Sequence, residues 1–135
     1  MTLVLPDSVR AAILEHARRG RPREVVGVLA GDRGEDVSVV ERRYEANNAA
    51  ERPRVRYEIA PEAEIEILER IDRDGLDVVG FYHSHPRGPL EPSDVDAERA
   101  AWPGYSYVIA VPPDRLGSWR WDGERFEREP TRPSD

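Results

Sequence analysis

The stretch Val78-Val79-Gly80-Phe81-Tyr82-His83-Ser84-His85-Pro86 admits few structures. Its β-branched and aromatic residues favour extended backbone, and Gly80 allows another strand to approach closely. Pro86 has no N–H to give to a ladder. The run from Asp77 to His85 therefore predicts a short strand with a fixed end. Side chains alternate along a strand, so His83 and His85 share one face and Ser84 takes the other. The loop that follows is stiffened by Pro89 and Pro92. Ser93 then reads as a helix N-cap, with Asp96 in the first turn. A loop that folds back brings Asp96 to the two histidines. Two imidazoles and one carboxylate suit a zinc ion and leave its fourth tetrahedral position open for water, the pattern of a catalytic rather than a closed structural site. His-x-His alone is a weak signal, and Ser-x-x-Asp alone is a capping signature. The weight comes from finding both, in this order, within one short stretch.

That order is His83-Ser84-His85-Pro86, then seven residues between His85 and Ser93, then Ser93-x-x-Asp96. It resembles the JAMM signature of the MPN-type zinc metalloproteases. The signature also requires a glutamate well upstream at the start of a strand, and Pro22-Arg23-Glu24-Val25-Val26-Gly27-Val28-Leu29-Ala30-Gly31 looks like that segment. Asn47-Asn48, Tyr57-Glu58-Ile59-Ala60-Pro61 and Tyr105-Ser106-Tyr107-Val108-Ile109 resemble further landmarks, so the likeness runs from about Leu5 to Val111. It implies that His83, His85 and Asp96 hold one Zn²⁺ per chain, that Glu24 is the general acid/base, and that Ser93 stabilises an oxyanion. It implies an α/β fold of MPN (cytidine-deaminase-like) type, a curved, mostly antiparallel sheet flanked by helices. It further implies an isopeptidase or peptidase that cuts after the Gly-Gly tail of ubiquitin-like modifier proteins and releases them from lysine, as in short archaeal single-domain members. Two alternatives stay open: a hydrolase trimming sulfur-carrier precursors or other small peptides, and a non-catalytic MPN scaffold. The complete five-residue set speaks against the scaffold.

The rest of the chain narrows the classes. With 135 residues it suits one domain with a sizeable core. The absence of cysteine excludes a cysteine protease, a disulfide framework and a thiolate zinc site. A net charge of −7 argues against nucleic-acid binding, which needs a basic face. No apolar run is long enough to span a membrane and no signal segment opens the chain, so a cytoplasmic location is the expectation. All 20 basic residues are arginine. Acid excess with arginine in place of lysine fits a salt-adapted or high-GC source. It also means that a modifier carried on lysine has no side chain here to attach to; compositional drift explains the same pattern.

In chain order, Leu3–Leu5 predicts a short edge strand. Asp7 or Ser8 caps a helix to about Arg19 that buries Val9, Ile13, Leu14 and Ala17. His16 on it reads as a packing or surface residue. Val25–Ala30 and Val37–Tyr44 predict antiparallel strands, and Val55–Ile59 another. Pro61 opens a helix to about Arg73, buried through Ile65, Leu68 and Ile71 or Asp72. A strand over Tyr105–Val111 ends at Pro112-Pro113. Gly117–Trp121 and Glu124–Arg128 predict a hairpin around Asp122-Gly123, with Trp119 opposite Phe126. The expected domain is 1–128, with 129–135 a disordered tail.

Overall fold

The computed structural model describes residues 1–51 and 57–134. Along them run β1 (Thr2–Val4), α1 (Asp7–Gly20), β2 (Val26–Asp32), β3 (Val37–Ala46), α2 (Pro61–Arg73), β4 (Asp77–Ser84), α3 (Asp94–Arg99), β5 (Ser106–Val111), β6 (Arg115–Trp121), β7 (Phe126–Glu129) and β8 (Thr131–Arg132). The strands form one sheet in the order β7-β6-β5-β4-β2-β3-β1-β8. The pairs β2–β3, β2–β4, β5–β6 and β6–β7 are antiparallel, while β1–β3, β1–β8 and β4–β5 are parallel. β7 and β8 lie at opposite ends of this order, yet only Pro130 separates them in the chain. The sheet therefore curls until its margins nearly meet. Register shifts help it bend: β2 slips against β4 between Leu29 and Ala30, and against β3 between Ala30 and Gly31. This is the mixed α/β, curved, mostly antiparallel architecture expected.

Each face of the sheet has its own core. Val9, Ile13, Leu14 and Ala17 of α1 recur at helical spacing and are all buried. They pack with Leu3, Leu29, Val40, Val79, Tyr82 and Val108. Cutting the fully buried Ile13 back to alanine would cost about 2–5 kcal/mol. The other face packs Val28, Phe81 and Tyr107 against Ile67 and Ile71 of α2. The register slip in β4 puts Val79 and Tyr82 toward α1, but Phe81 toward α2.

Several expectations are corrected. The helix α1 has no side-chain cap; Pro6 occupies the cap position and its carbonyl accepts from Arg10 N–H. Ile65 is 58 % exposed. At 100° per residue it points about 200° away from Ile67, and it is the Ile67/Ile71 stripe that meets the sheet. Of the strand expected over Val55–Ile59, Val55 and Arg56 lie outside the described residues, and Tyr57–Ile59 are not strand. β1 is no edge strand, because it lies between β3 and β8.

The carboxyl-terminal expectation is corrected most. Glu129 and Thr131–Arg132 lie in strands. Leu3 N–H donates to Pro130 O and Leu5 N–H to Arg132 O, so backbone pairing orders a segment whose composition is polar. Glu129 is buried and accepts from Arg120 Nε at 3.1 Å and from Ser106 Oγ at 3.2 Å. Arg120 also donates to Glu35 O at 2.6 Å and to Ser38 Oγ at 3.3 Å, so one buried ion pair ties β3, β5, β6 and β7 together. The hairpin register differs too: Trp121 faces Phe126 and Trp119 faces Arg128. The turn is longer than two residues because Asp122 Oδ1 accepts from the N–H groups of Glu124 and Arg125.

Candidate metal centre

The register of β2 against β4 sets Val26 opposite His83. Glu24, two residues earlier, thus arrives beside the end of β4. Ser84, turned to the opposite side from the histidines, fixes this entry: its Oγ accepts from Val25 N–H at 2.8 Å, and its own N–H donates to Val25 O at 3.1 Å. After Pro86 the loop turns back, and Gly88 N–H donates to His85 O. The loop delivers Pro89 O to 2.9 Å from His85 Nδ1. A protonated Nδ1 donating there turns Nε2 inward, so that a cation displacing the Nε2 proton would meet a lone pair, the arrangement metal-binding imidazoles use. Ser93 and Asp96 form a capping box at the start of α3. Asp96 N–H donates to Ser93 Oγ at 3.0 Å and Ser93 N–H to Asp96 Oδ2 at 2.9 Å.

Three donor atoms converge. His83 Nε2 and His85 Nε2 are 3.2 Å apart, and Asp96 Oδ2 lies 3.2 Å from the first and 3.1 Å from the second. A tetrahedral ion bound at 2.0–2.1 Å separates its ligands by about 3.3–3.4 Å. The triangle is therefore of the right size, and its nitrogen–nitrogen–oxygen donor set suits zinc. The nearest donor atoms of Glu24, His83 and His85 all lie within 4.8 Å of one another. All four side chains are buried.

The electrostatics follow from that burial. Desolvation pushes the Glu24 carboxyl up to about 7, with His85 opposing and Asp96 adding to the rise. For Asp96 burial acts upward, but hydrogen bonds from His83, His85 and Ser93 outweigh it and hold the carboxyl well below its ordinary range. Burial pushes His83 down, toward the neutral form that binds cations. At His85 burial also acts downward, but Asp96 and the Pro89 carbonyl prevail and raise it.

The structure brings together Glu24, His83, His85, Ser93 and Asp96, the five residues singled out from the sequence. A cleft of about 480 Å³ opens on Glu24, His85 and Ser93, with Pro22, Arg87 and Pro89 among its other walls. His16 stands elsewhere, on α1, with Nδ1 2.8 Å from the Tyr82 hydroxyl. Two neighbours of the site had no role in the sequence reading. Tyr57 lays its ring against His83, centroids 4.3 Å apart, and Asn48 donates to the Glu24 carbonyl. Their only signal was a place in stretches that resemble family landmarks, Asn47-Asn48 and Tyr57–Pro61.

Known proteins resemble this chain in sequence and in fold. A family model described as prokaryotic homologs of the JAB domain matches residues 6–122. A desampylase of Haloferax volcanii is 47 % identical over 128 residues, covering 92 % of this chain and 91 % of that protein. A Thermus thermophilus protein described as a "Probable TtuB-protein conjugate cleaving protease" is 35 % identical over 109 residues, covering 81 % and 70 %. The solution structure of a Desulfitobacterium hafniense protein superimposes with a TM-score of 0.87 at 27 % identity, covering 100 % of this chain and 94 % of that one. By sequence over most of its length and by fold over all of it, the chain belongs to the prokaryotic homologs of the JAB domain.

Proposed function

We propose that this protein is a zinc-dependent peptidase that hydrolyses the bond following the Gly-Gly terminus of a ubiquitin-like modifier, freeing it from a lysine of another protein. The observation that carries the reading is the closed triangle of His83 Nε2, His85 Nε2 and Asp96 Oδ2, with a desolvated carboxylate beside it. The desampylase and the conjugate-cleaving relative support the substrate class.

In this reading His83, His85 and Asp96 hold the ion. When bound, zinc supplies Lewis acidity, which polarises a carbonyl and lowers the pKa of water from about 15.7 toward about 7. Glu24 takes the proton of the attacking water. A carboxyl lifted to about 7 is well matched to accept and return a proton near neutrality. Glu24 then delivers that proton to the amine nitrogen as the carbon–nitrogen bond breaks, so the products are a free modifier carboxylate and a lysine amine. The Ser93 hydroxyl oxygen accepts from Asp96 N–H, which leaves its own proton to donate to the developing oxyanion. Pro86, Pro89 and Pro92 stiffen the cleft wall, so an extended glycine tail lies along a surface that does not have to be ordered first.

The test is incubation of the zinc-loaded protein with a conjugate whose modifier is joined to lysine through Gly-Gly. Release of free modifier, blocked by chelation and restored by zinc, is expected. A conjugate left intact by protein shown to carry zinc would overturn the reading.

A further inference from the structure

Glu24 and His83 are each held by a residue with no assigned part in the chemistry, and the two holders are joined. Among the described residues the side chain of Asn48 reaches two stretches of backbone. Nδ2 donates to the backbone carbonyl of Glu24 at 2.9 Å, and Oδ1 accepts from the N–H groups of Ala50 and Glu58, both at 3.0 Å. Ala49 N–H donates to Glu58 O at 2.8 Å, closing the same junction. A single amide thus fixes the backbone of the acid/base and the backbone at Glu58. The residue before Glu58 is Tyr57, whose ring lies 4.3 Å from that of His83 at 31°. His85 is aimed by the Pro89 carbonyl, whereas His83 has its plane set from above by this ring.

We propose that Asn48 and Tyr57 are positioning residues: Asn48 sets the Glu24 carboxylate through its backbone, and Tyr57 sets the His83 imidazole toward the ion. The proposal rests on the metallopeptidase reading. The two arms separate chemically. Asn48→Asp keeps an oxygen for the Ala50 and Glu58 N–H groups, so Tyr57 stays anchored. It removes the only donor to the Glu24 carbonyl that Asn48 offers and sets a negative oxygen against it. Tyr57→Leu removes the aromatic face, and Tyr57→Phe restores it.

The experiment measures zinc affinity by chelator competition, the cobalt(II) absorption spectrum, steady-state kinetics on the Gly-Gly conjugate, thermal unfolding, and the Glu24 carboxyl resonance by carbon NMR. Partners that orient a metal site typically change affinity or activity about 10–100-fold when lost. Asn48→Asp is expected to lower kcat by about 10-fold or more, with KM and zinc affinity within about twofold, and to move the Glu24 resonance. Tyr57→Leu is expected to weaken zinc binding by about 10-fold and alter the cobalt spectrum, and Tyr57→Phe to recover both. Thermal unfolding shows whether each variant is folded. Asn48→Asp with an unmoved Glu24 resonance, or with zinc affinity falling in step with kcat, overturns the first arm. Tyr57→Leu binding zinc as tightly as the wild type overturns the second. A wild type that binds zinc but cleaves no conjugate sinks the metallopeptidase reading instead, while the zinc, cobalt and NMR measurements still decide both arms.

Discussion

Replacing Glu129 with alanine is the sharpest perturbation of the way the sheet closes. It removes the acceptor for Arg120 Nε and Ser106 Oγ where Glu129 is 1 % and Arg120 4 % exposed. The guanidinium would keep Glu35 O and Ser38 Oγ, but its charge would stand buried without a counter-ion. Breaking one partner of a buried pair costs about 3–5 kcal/mol. Unfolding entropy near the melting point is about 2.1 cal/mol/K per residue, or about 0.28 kcal/mol/K for 135 residues. The melting temperature should therefore fall by roughly 11–18 °C. Glu129→Gln should lower it less. The amide oxygen still accepts from Nε and the cavity stays filled, although Arg120 loses its counter-ion. The double replacement Arg120→Met with Glu129→Leu should recover much of the loss, because no charge is then left buried. Calorimetry in chelator throughout keeps metal binding out of the comparison. A Glu129→Ala protein melting within about 2 °C of the wild type would show that this pair does not hold the margins of the sheet together.

Other outcomes follow from the site and from α1. Glu24→Gln should retain zinc and lose about 10²–10⁴ in rate, whereas His85→Ala should lose both metal and rate. Metal analysis beside the conjugate assay checks this, and an active Glu24→Gln would contradict the role given to Glu24. Burial pushes the His16 imidazole below its ordinary range, against the pull of Glu45. The unfolded chain therefore binds this proton first, and stability falls as pH drops below about 6.5, until the lower folded pKa is passed. His16→Gln should show a shallower loss of melting temperature between about pH 6.5 and pH 5; parallel curves would refute it.

What could be read from the sequence was local. Period-two alternation put His83 and His85 on one side, and the cap chemistry of Ser93 started α3 where it is found. The place of Glu24 came from a family resemblance, because nothing local announces that Val26 will stand opposite His83. Tyr57 against His83 was hidden for the same reason, whereas Glu129 against Arg120 was hidden by the hairpin register, which runs two residues further along than a two-residue turn allows. Composition misled at the carboxyl end, where polar residues and prolines read as a tail. Pairing of β8 with β1 uses backbone groups, which every residue but proline supplies in full. In α2, Ile65, Ile67, Leu68 and Ile71 offered two apolar stripes, and the sheet selected the one through Ile67 and Ile71.

The helix α3 has only six residues, far fewer than an isolated helix needs to persist in water. What secures it is the capping box, and the oxygen that accepts from Ser93 N–H is the same Asp96 Oδ2 that faces both imidazoles. A cation drawing on that oxygen would therefore be felt along the backbone. Ala97 N–H, bonded to Ser93 O, and Ala100 N–H, bonded to Asp96 O, should exchange with deuterium more slowly when zinc is added, while the amides of α1 keep their rates. Occupancy of the centre thus acquires a readout in mass or magnetic resonance that needs no substrate.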